Sequence, residues 1–245
     1  MAQRGTGPPA NEWKLTSSDQ NHSKRLAAIR AVDEVQNHSA IGLGTGTTAR
    51  FFLEELAQRL KDGVLRSVVG IPTSKQTAEL ASQLNIPLSS LDKHPTLDLA
   101  IDGADEIDPH LDLIKGHGGA LLREKIVASA AHQFLIIADH SKQVNSLGET
   151  CAVPIEVIPF GLALVMQRLR AFPGDAQLRQ TSQGTPFHTD EGNWIVDYAC
   201  GPLSDPGKLD TILNSMPGIV EHGLFLNMAQ QAIVGDSCRV TVLAR

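Results

Sequence analysis

Residues 97–125, LDLAIDGADEIDPHLDLIKGHGGALLREK, combine a strand, a polar segment, a glycine-rich loop and a helix. The apolar run 97–101 predicts a strand that ends at Asp102, and the segment 118–131 predicts a helix that begins in the glycines. Acidic residues crowd the end of the strand, and an isolated lysine, Lys115, precedes the glycines. Because stability alone does not require this crowding of charge, we interpret residues 102–125 as an active site.

A second strand, loop and helix precede this stretch at residues 40–60. The loop GTGTT at 44–48 would present free backbone N–H groups and the positive end of a helix to a phosphate, with threonine hydroxyls as further donors. The loop has no lysine, which a Walker A motif needs, and Thr47 stands where a dinucleotide fingerprint needs a third glycine. A simple phosphate site is favoured, and a tight turn that merely requires glycine is the alternative.

The alternation of strands and helices continues along the first part of the chain. Strands at 67–71 and 134–138, a helix at 74–84 and a short edge strand at 86–88 extend the pattern. This βαβ rhythm predicts a Rossmann-like α/β domain with a mainly parallel sheet. Ligands of such sheets collect beyond the carboxyl ends of the strands, where the Gly/Thr loop and Asp102 would both lie.

The order of the predicted strands and helices changes after Cys151. Residues 152–226 predict a smaller α+β domain in the order β-α-β-β-α-β, the ferredoxin-like pattern. Its predicted elements are strand 155–158, helix 160–170, strand 176–181, strand 194–199, helix 206–214 and strand 219–226. We expect residues 227–245 to return to the first sheet and complete a catalytic domain with residues 21–151. Residues 1–20, rich in Gly, Pro and polar types, predict a disordered tail.

Composition excludes several classes of protein. The 245 residues carry a net charge of −6 without a basic block, which argues against a nucleic-acid partner. No apolar run approaches the roughly 20 residues that span a bilayer. Three widely separated cysteines, Cys151, Cys200 and Cys238, match no metal spacing and favour a reducing compartment. We therefore expect a cytoplasmic protein without a membrane partner.

The residue types in 102–125 suit a proton transfer between neighbouring carbons of a phosphorylated sugar. Such a reaction needs a base and donors that hold the enediolate oxygens. Glu124, flanked by apolar residues on a helix, is the candidate base, because burial raises a carboxyl pKa toward neutrality. Lys115 and the amides of residues 116–119 would stabilise the oxyanion. Asp102 and Asp105 could move protons on the sugar hydroxyls and ring oxygen.

Simpler interpretations exist for the same residues. Glu124 and Lys125 could form an ordinary pair on a helix surface. We interpret Glu106 and Asp108 as part of a solvated acidic turn. A metal site built from Asp102, Asp105, Asp108 and His110 matches neither a calcium-loop nor a zinc spacing, so no metal is expected. His117, placed among glycines, is expected to contribute its backbone.

Four ordered motifs carry a family resemblance: GLGTGTTA at 42–49, DGADEID at 102–108, IKGHGGALLREK at 114–125 and ADHSKQV at 138–144. From about Lys24 to the C-terminus the chain resembles the type A ribose-5-phosphate isomerase family. The resemblance implies interconversion of ribose 5-phosphate and ribulose 5-phosphate through an enediolate, in the non-oxidative pentose phosphate pathway. It also implies no metal or organic cofactor, and a homodimer or homotetramer.

The resemblance also implies roles for individual positions. Glu124 matches the catalytic base, and Asp102, Asp105 and Lys115 match the other catalytic residues. The substrate-binding positions that it implies are Lys24, Thr45, Gly46, Thr47, Thr48, Asp102, Gly103, Ala104, Asp105, Lys115, Gly116, His117, Gly118 and Lys142. Thr47 and His117 stand where the family often has serine and glycine.

Other functions remain as alternatives at this stage. A different aldose–ketose isomerase or an amino-sugar phosphate deaminase-isomerase could share the fold. A sugar-phosphate sensor domain of a transcriptional regulator would need a helix-turn-helix module, for which residues 1–39 offer one helix and a tail. Lys115 and Glu124 together argue against a purely structural scaffold.

Overall fold

The computed structural model describes residues 17–245 as three sheets and the helices that pack on them. The helices are α1 (Ser17–Val32), α2 (Thr47–Lys61), α3 (Lys75–Gln83), α4 (Leu121–Ser129), α5 (Leu162–Leu169) and α6 (Pro206–Asn214). The strands are β1 (Ala40–Leu43), β2 (Val69–Pro72), β3 (Leu99–Asp102), β4 (Glu106–Ile107), β5 (Leu113–Ile114), β6 (Phe134–Asp139), β7 (Val153–Val157), β8 (Asp175–Leu178), β9 (Trp194–Ala199), β10 (Ile219–His222), β11 (Leu224–Phe225), β12 (Gln231–Gly235) and β13 (Val240–Ala244). Short 3-10 turns lie at His140–Lys142 and Pro159–Gly161.

The largest sheet has six strands in the order β13-β12-β6-β3-β1-β2. All neighbouring pairs are parallel except β12 with β13. Every residue of β6 is buried, as expected for a central strand covered on both faces. The mainly parallel sheet is therefore confirmed, and so is the return of the C-terminal strands to it.

Two apolar layers cover the faces of this sheet. Leu135 and Ile137 of β6 pack with α1 and with Phe52 of α2. The alternate β6 residues Ile136 and Ala138 pack on the other face with Val127 of α4. Because successive strand side chains point to opposite faces, this division is what a strand between two helical layers requires.

The second sheet is antiparallel, with the strand order β10-β7-β9-β8. Together with α5 and α6 it follows the chain order β-α-β-β-α-β, which confirms the predicted ferredoxin-like α+β unit. Its core forms a separate cluster that includes Val165, Val196, Tyr198 and Leu213. The boundaries predicted between the two domains remain predictions.

The third sheet, β11-β5-β4, is small and was not predicted. The strand expected at 219–226 is divided: β10 joins the antiparallel sheet, and β11 pairs with β5. The division falls at Gly223, whose carbonyl accepts the N–H of Lys115 at 2.9 Å. A Cβ on residue 223 would lie 2.1 Å from the Lys115 carbonyl oxygen, so a continuous strand with a side chain there does not fit.

The acidic turn after β3 is not solvated, so that expectation was wrong. Glu106 is fully buried, and its carboxylate accepts N–H groups from Gly148, Thr150 and Cys151. Asp108 is 8% exposed and accepts the N–H groups of His110 and Asp112. These acids are satisfied by backbone donors and therefore stabilise the fold locally.

Two further expectations concern the chain ends and edges. Helix α1 begins at Ser17, inside the range 1–20 predicted as a tail, and residues 1–16 lie outside the described residues. The edge strand expected at 86–88 is reduced to one bridge between Gly70 and Leu88. No helix within residues 17–245 has the length and apolarity needed to cross a membrane.

Candidate active site

The site lies where three neighbouring parallel strands end. β1, β3 and β6 are adjacent in the sheet, so the loops that follow them meet at its carboxyl edge. β1 leads into the Gly/Thr loop, β3 ends at Asp102, and β6 leads into the turn that contains Lys142. The order of the strands thus brings together motifs that are up to about 100 residues apart in sequence.

The Gly/Thr loop ends at the first turn of α2. Gly46 is the N-cap residue and makes no side-chain cap, so the first amides of the helix face outward from its positive end. Thr47 accepts a hydrogen bond from Nζ of Lys24 at 3.3 Å. The hydroxyl of Thr45, expected to serve as a donor in the site, lies within 3.0 Å of the hydroxyls of Thr73 and Thr77, and Thr45 also lines the cleft of the site.

Asp102 ties the first two loops together. Its Oδ1 accepts the N–H of Thr45 at 3.0 Å and the N–H of Gly103 at 2.7 Å. A Cβ on residue 44 would lie 2.2 Å from this oxygen, which explains the glycine at that position. Asp102 is therefore held by backbone donors at the base of the site.

Lys115 is buried between two carboxylates. Its Nζ lies 3.1 Å from Oδ2 of Asp102 and 3.2 Å from Oε2 of Glu124, and it donates to the Gly103 carbonyl at 2.7 Å. Lys115 and Asp102 are each 2% exposed, and Glu124, in the first turn of α4, is 5% exposed. Within residues 17–245, these two carboxylate oxygens have no polar partner besides the ion-pair contacts with Lys115. Each oxygen can therefore accept a second donor beside the cation.

Burial sets the protonation of this cluster. Desolvation, followed by the charge of Asp102, raises the pKa of Glu124 to about 8, and the charge of Lys115 offsets part of that rise. Desolvation also raises the pKa of Asp102 above its usual value, against the opposing charge of Lys115. Burial lowers the pKa of Lys115, but the carboxylates of Asp102, Glu124 and Asp105 outweigh it, so the net pKa is above its usual range. The lysine stays charged, while Glu124 can exchange a proton near neutral pH.

The glycine-rich loop lies beside Lys115. The N–H of His117 donates to Oδ2 of Asp105 at 3.0 Å, and the His117 imidazole is 43% exposed. Gly119 donates back to the carbonyl of Gly116, which closes a turn before α4. The backbone of His117 therefore contacts the site, and its ring nitrogen Nδ1 lies 3.7 Å from Oδ1 of Asp105.

These groups surround a cleft that is partly open to solvent. The residues that line it are Lys24, Thr45, Gly46, Thr47, Thr48, Gly103, Ala104, Asp105, Lys115, Gly116, Gly118, Glu124 and Lys142. Of the residues predicted for the site, Asp102 and His117 do not line the cleft, but each contacts a residue that does: Asp102 contacts Lys115, and His117 contacts Asp105.

Cations and acids both line the cleft. Lys24 lies at the start of α2, through its contact with Thr47, and its Nζ is 3.9 Å from Oδ2 of the buried Asp139. Asp105, Lys115, Glu124 and Lys142 also line the cleft. In the described part of the chain, no three His, Cys, Asp or Glu side chains are grouped so that they could hold a metal ion.

Sequence reasoning missed one polar contact with the site. Arg179, directly after β8 in the antiparallel sheet, donates to the carbonyls of Gly116 and His117. The sequence around Arg179 contains no motif that predicts this contact. The loop that Arg179 contacts lies about 60 residues earlier in the chain.

Comparison with known proteins agrees with this geometry. The family model for ribose 5-phosphate isomerase A (phosphoriboisomerase A) matches residues 69–238. The ribose-5-phosphate isomerase A of Roseiflexus castenholzii (strain DSM 13941 / HLO8) is 55% identical over 216 residues, covering 88% of this chain and 92% of the relative.

Solved structures give the same result. A D-ribose-5-phosphate isomerase in complex with phospho-erythronic acid has a TM-score of 0.90 at 40% identity, covering 92% of this chain and 99% of its own. The ribose 5-phosphate isomerase of Plasmodium falciparum has a TM-score of 0.87 at 42% identity, with coverages of 92% and 99%. With identity and coverage this high across the whole fold, the chain belongs to the ribose 5-phosphate isomerase A family of isomerases.

Proposed function

We propose that the protein interconverts D-ribose 5-phosphate and D-ribulose 5-phosphate through an enediolate, with Glu124 as the general base. The observation that carries this proposal is the buried contact of Lys115 with Glu124 at 3.2 Å, in a cleft that Lys24 and Lys142 also line. A carbonyl shift between adjacent carbons needs a base and a cation at the developing oxyanion, and this pair supplies both.

The start of α2 and the lysines Lys24 and Lys142 bind the phosphate in this proposal. The free amides at the start of α2, together with Lys24, Thr47 and Lys142, offer positive charge and hydrogen-bond donors to its oxygens. The phosphate then anchors the sugar, so that its C1 and C2 lie toward Glu124 and Lys115.

Asp105 and Asp102 have different roles in this proposal. Asp105 lines the cleft and is available to the ring oxygen and hydroxyls, so we assign the ring-opening proton transfer to it. Asp102 does not line the cleft and contacts Lys115 at 3.1 Å, so we assign it to holding the lysine instead of to the sugar itself.

The central step is a proton transfer within the open-chain sugar. Ionised Glu124 takes the proton from C2, the C1 carbonyl oxygen gains negative charge, and an enediolate forms. Lys115 and the loop amides hold the oxygens of this intermediate. Glu124 then returns the proton to C1, the hydroxyl proton of the C2 oxygen passes to the C1 oxygen, and the C2 oxygen becomes the ketone of ribulose 5-phosphate. The raised pKa makes Glu124 a stronger base toward carbon than an ordinary carboxylate.

The wider setting is proposed from the family resemblance. We propose a homodimer or homotetramer that acts in the cytoplasm, in the non-oxidative pentose phosphate pathway. The reaction as written uses no metal or organic cofactor, because Lys115 provides the cation.

The direct test is an isomerase assay of the purified full chain with the 5-phosphates of ribose and arabinose and with allose 6-phosphate, with and without EDTA. We expect turnover of ribose 5-phosphate at least about tenfold above the other two, which is a barrier difference of about 1.4 kcal/mol, and no effect of EDTA. Absence of turnover with ribose 5-phosphate would overturn the function, and loss of activity in EDTA would overturn the metal-free mechanism.

A further inference from the structure

Arg179 reaches the catalytic loop from the other sheet and is fixed in place by its own surroundings. Its N–H donates to the carbonyl of Ile195 at 2.8 Å, and its carbonyl accepts the N–H of Phe187 at 2.9 Å. The side chain is only 14% exposed. Its direction is therefore set by the antiparallel sheet.

Asp197 on β9 orients the guanidinium. Nε of Arg179 donates to Oδ2 of Asp197 at 2.9 Å, and Nη2 donates to Oδ1 of the same carboxylate. This two-point pairing leaves Nη1 for the loop, where it donates to the carbonyls of Gly116 and His117 at 2.9 Å each. Only arginine has a planar guanidinium whose N–H groups can pair with a carboxylate at two points in this way.

The two carbonyl contacts decide where the loop amides point. The peptide bonds are trans, so each carbonyl and the N–H of the following residue point in opposite directions. Both carbonyls face Arg179, and both N–H groups face the other way. The first of them, from His117, donates to Asp105, which lines the cleft. The second, from Gly118, has no hydrogen-bond partner in the described residues, and Gly118 also lines the cleft.

We propose that Arg179, held by Asp197, is a positioning residue that aims the Gly118 N–H into the cleft as an oxyanion donor. Glycine-rich backbone has many accessible conformations, so a free loop would sample peptide orientations that present a carbonyl oxygen to the intermediate. Arg179 removes those orientations. The inference rests on the proposed isomerase function, since the oxyanion it serves is the enediolate.

The effect should fall on the chemical step and spare substrate binding, because the Arg179 side chain contacts the glycine loop and Asp197 but none of the residues assigned to the phosphate. For Arg179→Met we expect kcat for ribose 5-phosphate to fall by roughly 10²-fold, with KM changed by less than about threefold, as for loss of an oxyanion donor. Arg179→Lys keeps the positive charge but lacks the planar guanidinium, and Asp197→Asn weakens the pairing that orients the guanidinium. We expect kcat to fall in both variants, by less than in Arg179→Met.

Lys75→Met is the matched control. Nζ of Lys75 donates to the carbonyl of Asp190 at 2.8 Å, so this variant removes another contact between the first sheet's helices and the second domain without touching the loop. We expect its kcat to stay within about twofold of wild type. If the contacts between the two parts of the chain were purely structural, Arg179→Met and Lys75→Met would both have a lower melting temperature, and both would keep the wild-type kcat.

Binding of phospho-erythronic acid, measured by calorimetry, gives a readout that a structural role would not move. Its carboxylate stands in for the enediolate oxygens, so we expect Arg179→Met to weaken its binding about as much as it lowers kcat. If kcat and binding are both unchanged in Arg179→Met and Arg179→Lys, the positioning role is overturned. The isomerase function would still stand in that case, because the wild-type chain would be active. A wild-type chain without isomerase activity would instead overturn the function itself.

Discussion

Nζ of Lys115 lies 3.2 Å from Oε2 of Glu124, and both side chains are almost completely buried. The contact places a permanent cation beside a carboxyl group whose pKa is raised to about 8. A group in this state can accept a proton near neutral pH and return it, while the cation supports negative charge on the substrate. The relationship leads to predictions about pH, stability and catalysis.

The pH dependence of kcat/KM should report the ionisation of the acid pair in the free enzyme. Glu124 accepts a proton only when ionised, so kcat/KM should rise tenfold per pH unit and level off near pH 8. The midpoint belongs to Glu124 and Asp102 together, because the two carboxyls interact. The second ionisation of the substrate phosphate lies near pH 6 and can therefore be distinguished from this midpoint. A profile that is flat between about pH 6.5 and 9 would refute the assignment.

Glu124→Gln should stabilise the fold at alkaline pH. In the wild type, the folded pKa of about 8 exceeds the ordinary value of 4.5, so the folded state binds its proton more tightly than the unfolded state. The free energy of unfolding therefore falls as pH rises from about 4.5 to 8. Glutamine does not ionise and avoids this loss.

Thermal unfolding tests that sign. We expect Glu124→Gln to have a higher melting temperature than wild type at pH 8, by about 2–4 °C for each kcal/mol of unfolding free energy that it gains. The difference in melting temperature should vanish at pH 4. A variant that melts below wild type at pH 8 would show that ionised Glu124 stabilises the fold.

Lys115→Met should lose activity and stability together. It leaves Asp102 and Glu124 without their cation and the Gly103 carbonyl without its donor. We expect kcat to fall by roughly 10²- to 10⁴-fold and unfolding to become easier by about 3–5 kcal/mol at pH 7. The stability loss should shrink on acidification, because the carboxyls then protonate.

Lys125→Met provides the comparison for this variant. Lys125 is also largely buried on α4, and its Nζ donates to Glu221 at 2.6 Å, away from the cleft. We expect it to lose stability but to keep kcat within about threefold of wild type. Equal kcat in Lys115→Met and Lys125→Met would remove Lys115 from the chemistry.

Lys24→Met should weaken binding and spare the chemical step. Lys24 contacts Thr47 at the start of α2, in the part of the cleft assigned to the phosphate. We expect KM for ribose 5-phosphate to rise by roughly 10- to 100-fold with kcat within about threefold. Arg25→Met, which removes an exposed pair with Glu54, should leave both constants unchanged. A fall in kcat at constant KM would contradict the phosphate assignment.

Local sequence patterns were sufficient for much of the fold. The predicted helix 206–214 and strand 194–199 coincide with α6 and β9, because Pro at the first helical turn and β-branched residues mark them locally. The cleft was also predictable, because the carboxyl ends of parallel strands share one edge of a sheet. Lys24, Thr47, Lys115, Glu124 and Lys142 all line it.

Contacts between distant segments could not be read in the same way. Glu106 resembles a solvated acid until the donors of Gly148, Thr150 and Cys151, more than 40 residues later, are folded around it. Arg179 resembles a surface residue on a short strand until Asp197 turns it toward the glycine loop. In both cases the role depends on a partner that the local sequence does not specify.

Turnover of ribose 5-phosphate by Glu124→Gln tests the central claim most directly. Glu156→Gln is the matched control, because Glu156 is another buried acid, bonded to Thr189 and Asn193 away from the cleft. We predict that Glu124→Gln lowers kcat by roughly 10²- to 10⁴-fold, while it still binds ribose 5-phosphate by calorimetry and Glu156→Gln keeps wild-type turnover. Turnover by Glu124→Gln within about tenfold of wild type, a barrier change of only about 1.4 kcal/mol, would contradict the assignment of Glu124 as the base.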